Sequence, residues 1–539
     1  MISKVAGQIR SSEIITTYGP GSIFNGKEGV STMIMGLDFW PEAFDNPENL
    51  GKFKAVKHPF LESVCRKDHF RMPLLESGFG GGVPCKPFPG WGYCEFRGCH
   101  LMSEVEGTPD KDTGYYVCKY CLKKYGYKNK ILPARLVLIC DYGHVKDFPW
   151  VEWAHSKTSK QNAGICEKPL LRWSFSKKGT TLSAYTVFCT HCEKKRSMSR
   201  STQVLNEILP SKDGNAWNLS CDGNSPWLEK NQKCPPKNAT APNRSLMRGN
   251  HVRASNMYFP IVISALQIPR FENEIQKQIE KWDKTIKYFR KNKGMSYEEI
   301  AKEEFFSEVN ADTQEILDEL RYRYEDSITN EQDIKTREYQ DIIRTQNIPF
   351  RSDRTISISD VEIHPKITPY VSRVRKLDRL TIVQALMAFT RANQPDPYGN
   401  GEAESGSLCR IYKSRKINWL PCVETKGEGI LIILNEKRIK EWMSKSSARC
   451  NMILSNFEKL RQLRHWTGNV QPEYLLLHTI SHLIIRSLAE RSGYSESSIK
   501  ERIYCEENNH AILIYTASNS SEGSLGGLVK NSAKDDLLN

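Results

Sequence analysis

Four cysteines stand in two close pairs, Cys94-x4-Cys99 and Cys118-x2-Cys121, with eighteen residues between the pairs. Tetrahedral zinc takes four soft donors, and a short knuckle holds each pair of thiolates within reach of Zn–S bonds of about 2.3 Å. The spacing predicts a zinc site. Cys189-x2-Cys192 repeats the pattern, and Cys221 and Cys234 behind it supply a looser second pair, so these four are expected to form a second site. A third set is Cys140-x3-His144-x10-His155-x10-Cys166, which starts in CDYGHVKDFPWVEWAH. Mixed thiolates and imidazoles also ligate zinc, although His155 and Cys166 suit core and surface positions equally well. Small buried thiols alone do not account for two CxxC pairs. In each set protein donors fill every coordination position, so the zinc, at least two ions per chain, is expected to be structural.

Beside the first knuckle, Lys119, Tyr120, Lys123, Lys124, Tyr125, Tyr127, Lys128 and Lys130 form a run with no acid between residues 118 and 131. Cations for phosphates interleaved with rings for stacking are what a nucleic-acid surface needs, and a soluble knuckle flank is the plainer reading. Lys194, Lys195, Arg196 and Arg200 behind Cys192 repeat the theme more weakly. Over the whole chain Lys and Arg exceed Asp and Glu by 14 (77 against 63), a balance that favours polyanionic partners such as DNA.

Other motifs lack an essential part. Gly21 to Lys27 imitates a phosphate-binding GxxxxGK loop, but Glu28 replaces the hydroxyl that would hold magnesium, and GVSTMIMG after it reads as strand rather than helix. Leu317-Asp318-Glu319 resembles an acidic ATPase motif only in letters, because it falls on an amphipathic helix. His478-x3-His482 puts two imidazoles one helical turn apart, as in zinc peptidases, yet Thr479 stands where the general-base Glu belongs, so core or interface histidines are expected. Asp396, Glu424 and Lys426 can be assembled into a metal-dependent nuclease as an alternative, across a long loop. No catalytic residue is expected: the chain reads as a non-enzyme.

The 539 residues correspond to roughly three domains, and 39% hydrophobic residues allow a packed core. Twelve of the 16 cysteines lie between Cys65 and Cys234. No run of 18 apolar residues exists, since Ile430–Leu434 is short and Tyr474–Ile485 is interrupted by His478 and His482. No apolar signal segment follows a basic start, so a cytoplasmic protein with no membrane span is expected. The fold class is α+β and multidomain: a zinc-ribbon-rich N-terminal half, then a helical region and a C-terminal α/β domain. The boundaries fall at 1–90 (an α/β segment with the Tyr18-Gly19-Pro20-Gly21 turn), 91–250 (zinc ribbons), 251–455 (helical arm and mixed α/β) and 456–539. Within them the patterns predict strands Leu132–Ile139 and Thr181–Phe188, and a helix carrying Ile275, Ile279, Trp282, Ile286 and Phe289. Further on they predict a helix Leu380–Arg391, a strand pair around Gly427-Glu428-Gly429, a helix Glu473–Ser492 and a strand Ala511–Ser518, with a Gly-rich turn from Ser521 to Gly527. Leu476, His478, Ile480, His482, Leu483 and Ile484 are packed too densely for a one-sided surface helix, which predicts that the last helix is buried under the strand Ile512–Thr516.

The ordered blocks RSSEIITTYGPGSIF, CDYGHVKDFPWVEWAH, FCTHCEKKRSMSR with CDGNSPWL, ASNMYFPIVISALQIP, WLPCVETKGEGILI, and LLLHTISHLIIRSLAERSGYSESSIKERIYC with LIYTASNSSEGSLGGLV resemble the DrmB family. These are helicase-associated subunits of the DISARM anti-phage systems. The resemblance runs from about residue 10 to 530 and is weakest over 270–350. It implies a non-catalytic subunit that binds a separate superfamily 2 helicase similar to DrmA and works with it on DNA. It also places the family's cysteine pairs on Cys189, Cys192, Cys221 and Cys234. A free-standing zinc-ribbon nucleic-acid binder is the remaining alternative. The last block is similar to the C-terminal zinc-binding domain of MrfA-type helicases. That domain ordinarily continues into a further cysteine cluster, whereas this chain ends at KNSAKDDLLN, which implies a truncated version or a split gene.

Overall fold

A computed structural model describes residues 6–40, 55–73, 82–105, 107–156, 164–175, 181–203, 221–231, 234, 246–268, 274–324, 328–345, 347–348, 356–396, 408–464, 470–516 and 527–532. The fold mixes helices and strands over several units, as the sequence predicts, with the cysteine clusters in the N-terminal half.

The centre of the molecule is an eight-stranded sheet. Its main path runs Phe259–Leu266, Val371–Thr390, Trp419–Leu434, Asn509–Thr516, Ile499–Glu506, all antiparallel. Ser357–Val361 pairs with the first half of the 371–390 strand, and His69–Arg71 adds a short parallel pairing to the start of the 419–434 strand. Two expectations are overturned here. The segment expected as a helix at Leu380–Arg391 is the second half of a 20-residue strand. Leu380, Thr381, Ile382 and Val383 are consecutive and all buried, because both faces of this central strand are covered, and that erases the alternation that marks a strand in sequence. Gly427-Glu428-Gly429 does not turn a strand pair either. It lies inside one continuous strand, opposite a bulge in which Leu377 pairs with Gly429 and Leu380 with Gly427. The buried Glu428 carboxylate there accepts hydrogen bonds from the backbone N–H of Leu528 at 2.8 Å and the Tyr494 hydroxyl at 3.2 Å.

The N-terminal segment shares its core with this sheet: Ile14 and Ile15 belong to one buried cluster with Trp227, Phe389 and Trp419. A side chain on Gly19 would run into Tyr258 and Leu386, and one on Gly21, whose φ is +88°, into Phe389. The buried Arg391 closes the turn by donating to Gly21 O at 2.6 Å and Met257 O at 3.0 Å.

The helical arm is two helices where one was expected, Glu274–Lys281 and Asp283–Asn292, broken at Trp282. Ile275, Ile279 and Ile286 still form a stripe, buried against Ile300, Phe306 and Leu320 in a small core of their own. Leu317-Asp318-Glu319 lies on the helix Thr313–Tyr324, as predicted. The arm returns through Glu331–Arg344, capped by Asn330, which accepts from Asp333 N at 3.0 Å. Glu338 on that helix makes a buried two-bond pair with Arg502 of the sheet, at 2.6 and 2.9 Å.

The helix Pro472–Ser492 matches the predicted span, with proline in its first turn and Gly493 as a left-handed cap. It packs through one face only. Leu477, Ser481, Ile485 and Leu488 are buried and the helix packs on the strands Ile499–Glu506 and Asn509–Thr516, as expected, whereas Leu483 is 61% exposed, so it is a one-sided helix after all. Steps of four and three residues place the buried set in one stripe and leave Leu483 outside it. The strand expected at Ala511–Ser518 runs from Asn509 to Thr516. The Gly-rich stretch Ser521–Gly526 lies outside the described residues. Among the described residues no helix is long and apolar enough to cross a membrane.

Candidate metal centres

The cysteine region is a set of two- and three-stranded sheets with strands of two to five residues. The predicted strand Leu132–Ile139 is two strands, Ile131–Pro133 and Leu136–Ile139, which join different sheets. The predicted strand from Thr181 starts with a 3₁₀ turn, Leu182–Ala184, before Tyr185–Cys189.

Cys94 ends the strand Trp91–Cys94, and Cys99 follows a tight turn in which its N–H donates to Phe96 O at 2.8 Å. Cys118 precedes the helix Lys119–Tyr125, and Cys121 lies in its first turn. All four are buried, with Sγ–Sγ distances of 3.7 Å for Cys94–Cys121 and 4.0 Å for Cys99–Cys118. A tetrahedron with Zn–S bonds of about 2.3 Å has an edge of about 3.8 Å. A disulfide would need about 2.05 Å, and every cysteine is free.

The other eight candidate ligands also gather in fours, but not in the expected fours. Cys189 and Cys192 do not join Cys221 and Cys234. They meet His155 and Cys166, while Cys221 and Cys234 meet Cys140 and His144; in each group all ligand atoms lie within 4.8 Å of one another. Strand pairing explains the exchange. Leu171 pairs with Cys189, which brings the segment carrying Cys166 alongside, and the helix Trp150–His155 packs on the same strand. Cys140 instead ends the strand Leu136–Ile139 and turns through Gly143 to His144, and Lys146 just beyond binds Asp222 at 3.4 Å, next to Cys221.

Ligand-to-ligand distances repeat those of the first group: Cys166–Cys189 at 3.7 Å, Cys192 Sγ to His155 Nε2 at 3.3 Å, Cys140 Sγ to His144 Nδ1 at 3.4 Å. His155 is oriented for the role. Its Nδ1 lies 2.6 Å from Val151 O, and since a carbonyl only accepts, the proton sits on Nδ1 and the lone pair of Nε2 faces the thiols. Charge is shared unevenly inside the groups. Hydrogen bonds from Cys140 and Cys234 hold the Cys221 thiol far below its usual range, and the same contact with Cys221 pushes Cys140 far above it. Burial pushes Cys99 and Cys166 up to about 11. Clustered thiols that resist joint ionisation in this way are stabilised as thiolates by a cation placed among them. The residues therefore fit a metal ion in each group, with four protein donors and no open position.

The basic run surrounds the first group. Residues 122–128 are exposed, with Tyr127 at 68%. Lys124 hydrogen-bonds the Tyr120 hydroxyl at 3.1 Å and lies 5.2 Å from the Tyr125 ring centre. Sequence distance hid one feature: Asp110 and Asp112 fold onto Lys128 at 3.2 and 2.6 Å, so this lysine is already paired. Lys119 and Lys123 are exposed on the same short helix. The second basic group is mostly packing, since Arg196 lies 3.7 Å over Trp153 and Lys194 donates to Gly164 O at 2.8 Å.

Glu424 and Lys426 sit two apart on the 419–434 strand, opposite Val383 and Thr381. Among the described residues neither they nor Asp396 belongs to a group of three metal-ligating side chains. Lys27 stands in a 3₁₀ turn followed by the strand Ser31–Ile34, so no helix N-terminus faces the GxxxxGK look-alike.

A family model described as a domain of unknown function, DUF8724, matches residues 10–259, the stretch that holds all three thiol groups. The DISARM protein DrmB of Bacillus paralicheniformis is 30% identical over 526 residues, covering 94% of this chain and 86% of the relative. With that identity extending through the cysteine region and the central sheet alike, the chain belongs to the family of the DISARM protein DrmB.

Proposed function

We propose that this chain is a zinc-scaffolded, non-catalytic accessory subunit of a DNA-helicase complex in DISARM anti-phage defence. Family membership supports the defence role and the association with other DISARM components. The observation that carries the scaffold reading is the closed character of the thiol groups: three sets of four protein donors, edges near those of a zinc tetrahedron, and no vacant position for a reacting water. Thiolate and imidazole donors in tetrahedral fours favour zinc among common divalent ions. The exposed helix Lys119–Tyr125 is the candidate DNA surface, with Lys119, Tyr120, Lys123, Lys124 and Tyr125 at hand and Lys128 committed to its aspartates.

Co-expression with a superfamily 2 helicase similar to DrmA should yield a stable complex, and failure of the two chains to co-purify would remove the accessory role. Within that complex, Lys123→Glu with Lys124→Glu should weaken DNA binding and flatten its dependence on salt, since each lost phosphate contact lowers the slope by about one. Unchanged affinity and slope would move the DNA path elsewhere.

A further inference from the structure

Outside the cysteine region, the described residues contain one more group able to ligate a metal: His478, His482 and Glu501. The two histidines are one turn apart on the helix Pro472–Ser492, and Glu501 lies on the strand Ile499–Glu506 that this helix covers. The sequence predicts core or interface histidines, and the core is ruled out. Instead the side chains of His478, His482 and Glu501 are 40%, 61% and 21% exposed, so the group opens to solvent.

Three features prearrange it. The fully buried Ser481 donates its hydroxyl to Glu501 Oε2, which anchors one carboxylate oxygen and leaves Oε1 toward the imidazoles. Oε1 stands 2.7 Å from His478 Nδ1 and 3.9 Å from His482 Nε2. The Tyr474 ring stacks on His478 at 5.9 Å with an interplanar angle of 16°, restricting that imidazole. Yet His478 Nδ1 is sealed from solvent and makes no directed hydrogen bond despite its short distance to the carboxylate. A plain imidazole–carboxylate hydrogen bond thus leaves this nitrogen badly served, whereas a cation held between the three donors serves all of them.

The geometry points to a second kind of metal site, a two-histidine, one-carboxylate site for a divalent cation of the zinc, cobalt and nickel class, with a position left open to water or an anionic oxygen. Its chemistry differs from that of a peptidase. Thr479 follows the first histidine, and its hydroxyl donates to Leu475 O at 2.7 Å, back into its own helix, so no side chain of the motif stands ready to deprotonate a bound water. With three donors in place of four, the ion here exchanges while those in the thiol groups stay. The site does not depend on the proposed helicase partner.

Full-length protein whose thiol groups have been filled with zinc is titrated with cobalt(II) and followed by visible absorption. The expected result is one further equivalent bound, with weak d–d bands and no thiolate-to-cobalt charge transfer. Glu501→Gln should weaken uptake by at least roughly tenfold. His482→Ala, at a ring that is more than half exposed and so unable to unfold the chain, should abolish it. No uptake by the wild type, uptake accompanied by thiolate charge transfer, or equal uptake by His482→Ala would each overturn the site.

Discussion

Residues 91–250 and residues 259–516 are both organised by antiparallel strands, but they keep their order by different means. Strands in the first region have two to five residues, and its buried cluster mixes Trp150, Trp153, Leu138 and Val187 with thiols. Strands in the second reach 16 and 20 residues and bury unbroken runs such as Ile430–Leu434. Short strands carry few ladder hydrogen bonds and little apolar area, and in the first region thiols and imidazoles from loops far apart in sequence gather beside them. The second depends on apolar burial. On the proposed function, order in one half is conditional on ligand chemistry, and order in the other is intrinsic to packing.

The largest effect should come from the thiol groups, where a structural zinc contributes on the order of 10 kcal/mol in small peptides. Cys192→Ser and His155→Ala should each lose the same ion, and the double variant should lose no second one. Cys192→Ser combined with Cys221→Ser should lose two, by elemental analysis, and limited proteolysis should cut the cysteine region first. Two ions lost with Cys192→Ser and His155→Ala, and one with Cys192→Ser and Cys221→Ser, would restore the grouping by sequence proximity and overturn the one set by strand pairing.

A smaller but substantial effect belongs to the sheet half. Arg502→Met leaves the buried Glu338 carboxylate without its partner, at a cost of about 3–5 kcal/mol. Its thermal midpoint should fall while bound metal stays constant. A loss of metal in this variant would show that the two halves are not separately maintained.

The smallest effect is a titration inside the cysteine half. Burial lifts the Asp147 carboxyl from its ordinary 3.8 to about 6, against hydrogen bonds from the N–H groups of Gly90 and Trp91. A carboxyl whose folded pKa is raised opposes folding above 6, and that penalty is relieved as the pH falls through 6 toward 3.8. Asp147→Asn keeps the shape and should stabilise the protein at pH 7.5 by roughly 1–3 kcal/mol, a gain that shrinks on acidification. A gain that is the same at every pH would assign the effect to packing instead.

By itself, the sequence determined the ligand types and the division of labour. CxxC spacing is a local property, since a knuckle of two intervening residues brings its own thiols together wherever it lies, and the span of the helix Pro472–Ser492 was legible because its apolar run is local too, although that run did not show which face is buried. What only the tertiary structure decided was which pairs share an ion, and which apolar runs are strands. Cys189 and Cys221 are 32 positions apart, but Leu171 pairing with Cys189 places Cys166 there first, and the turn at Gly143 delivers His144 and Cys140 to the other pair. The run from Leu380 lost its alternation because neighbours cover both faces of its strand. His478 and His482 met Glu501 only because a strand that follows the helix folds back under it, a contact that no spacing within the HTISH motif encodes.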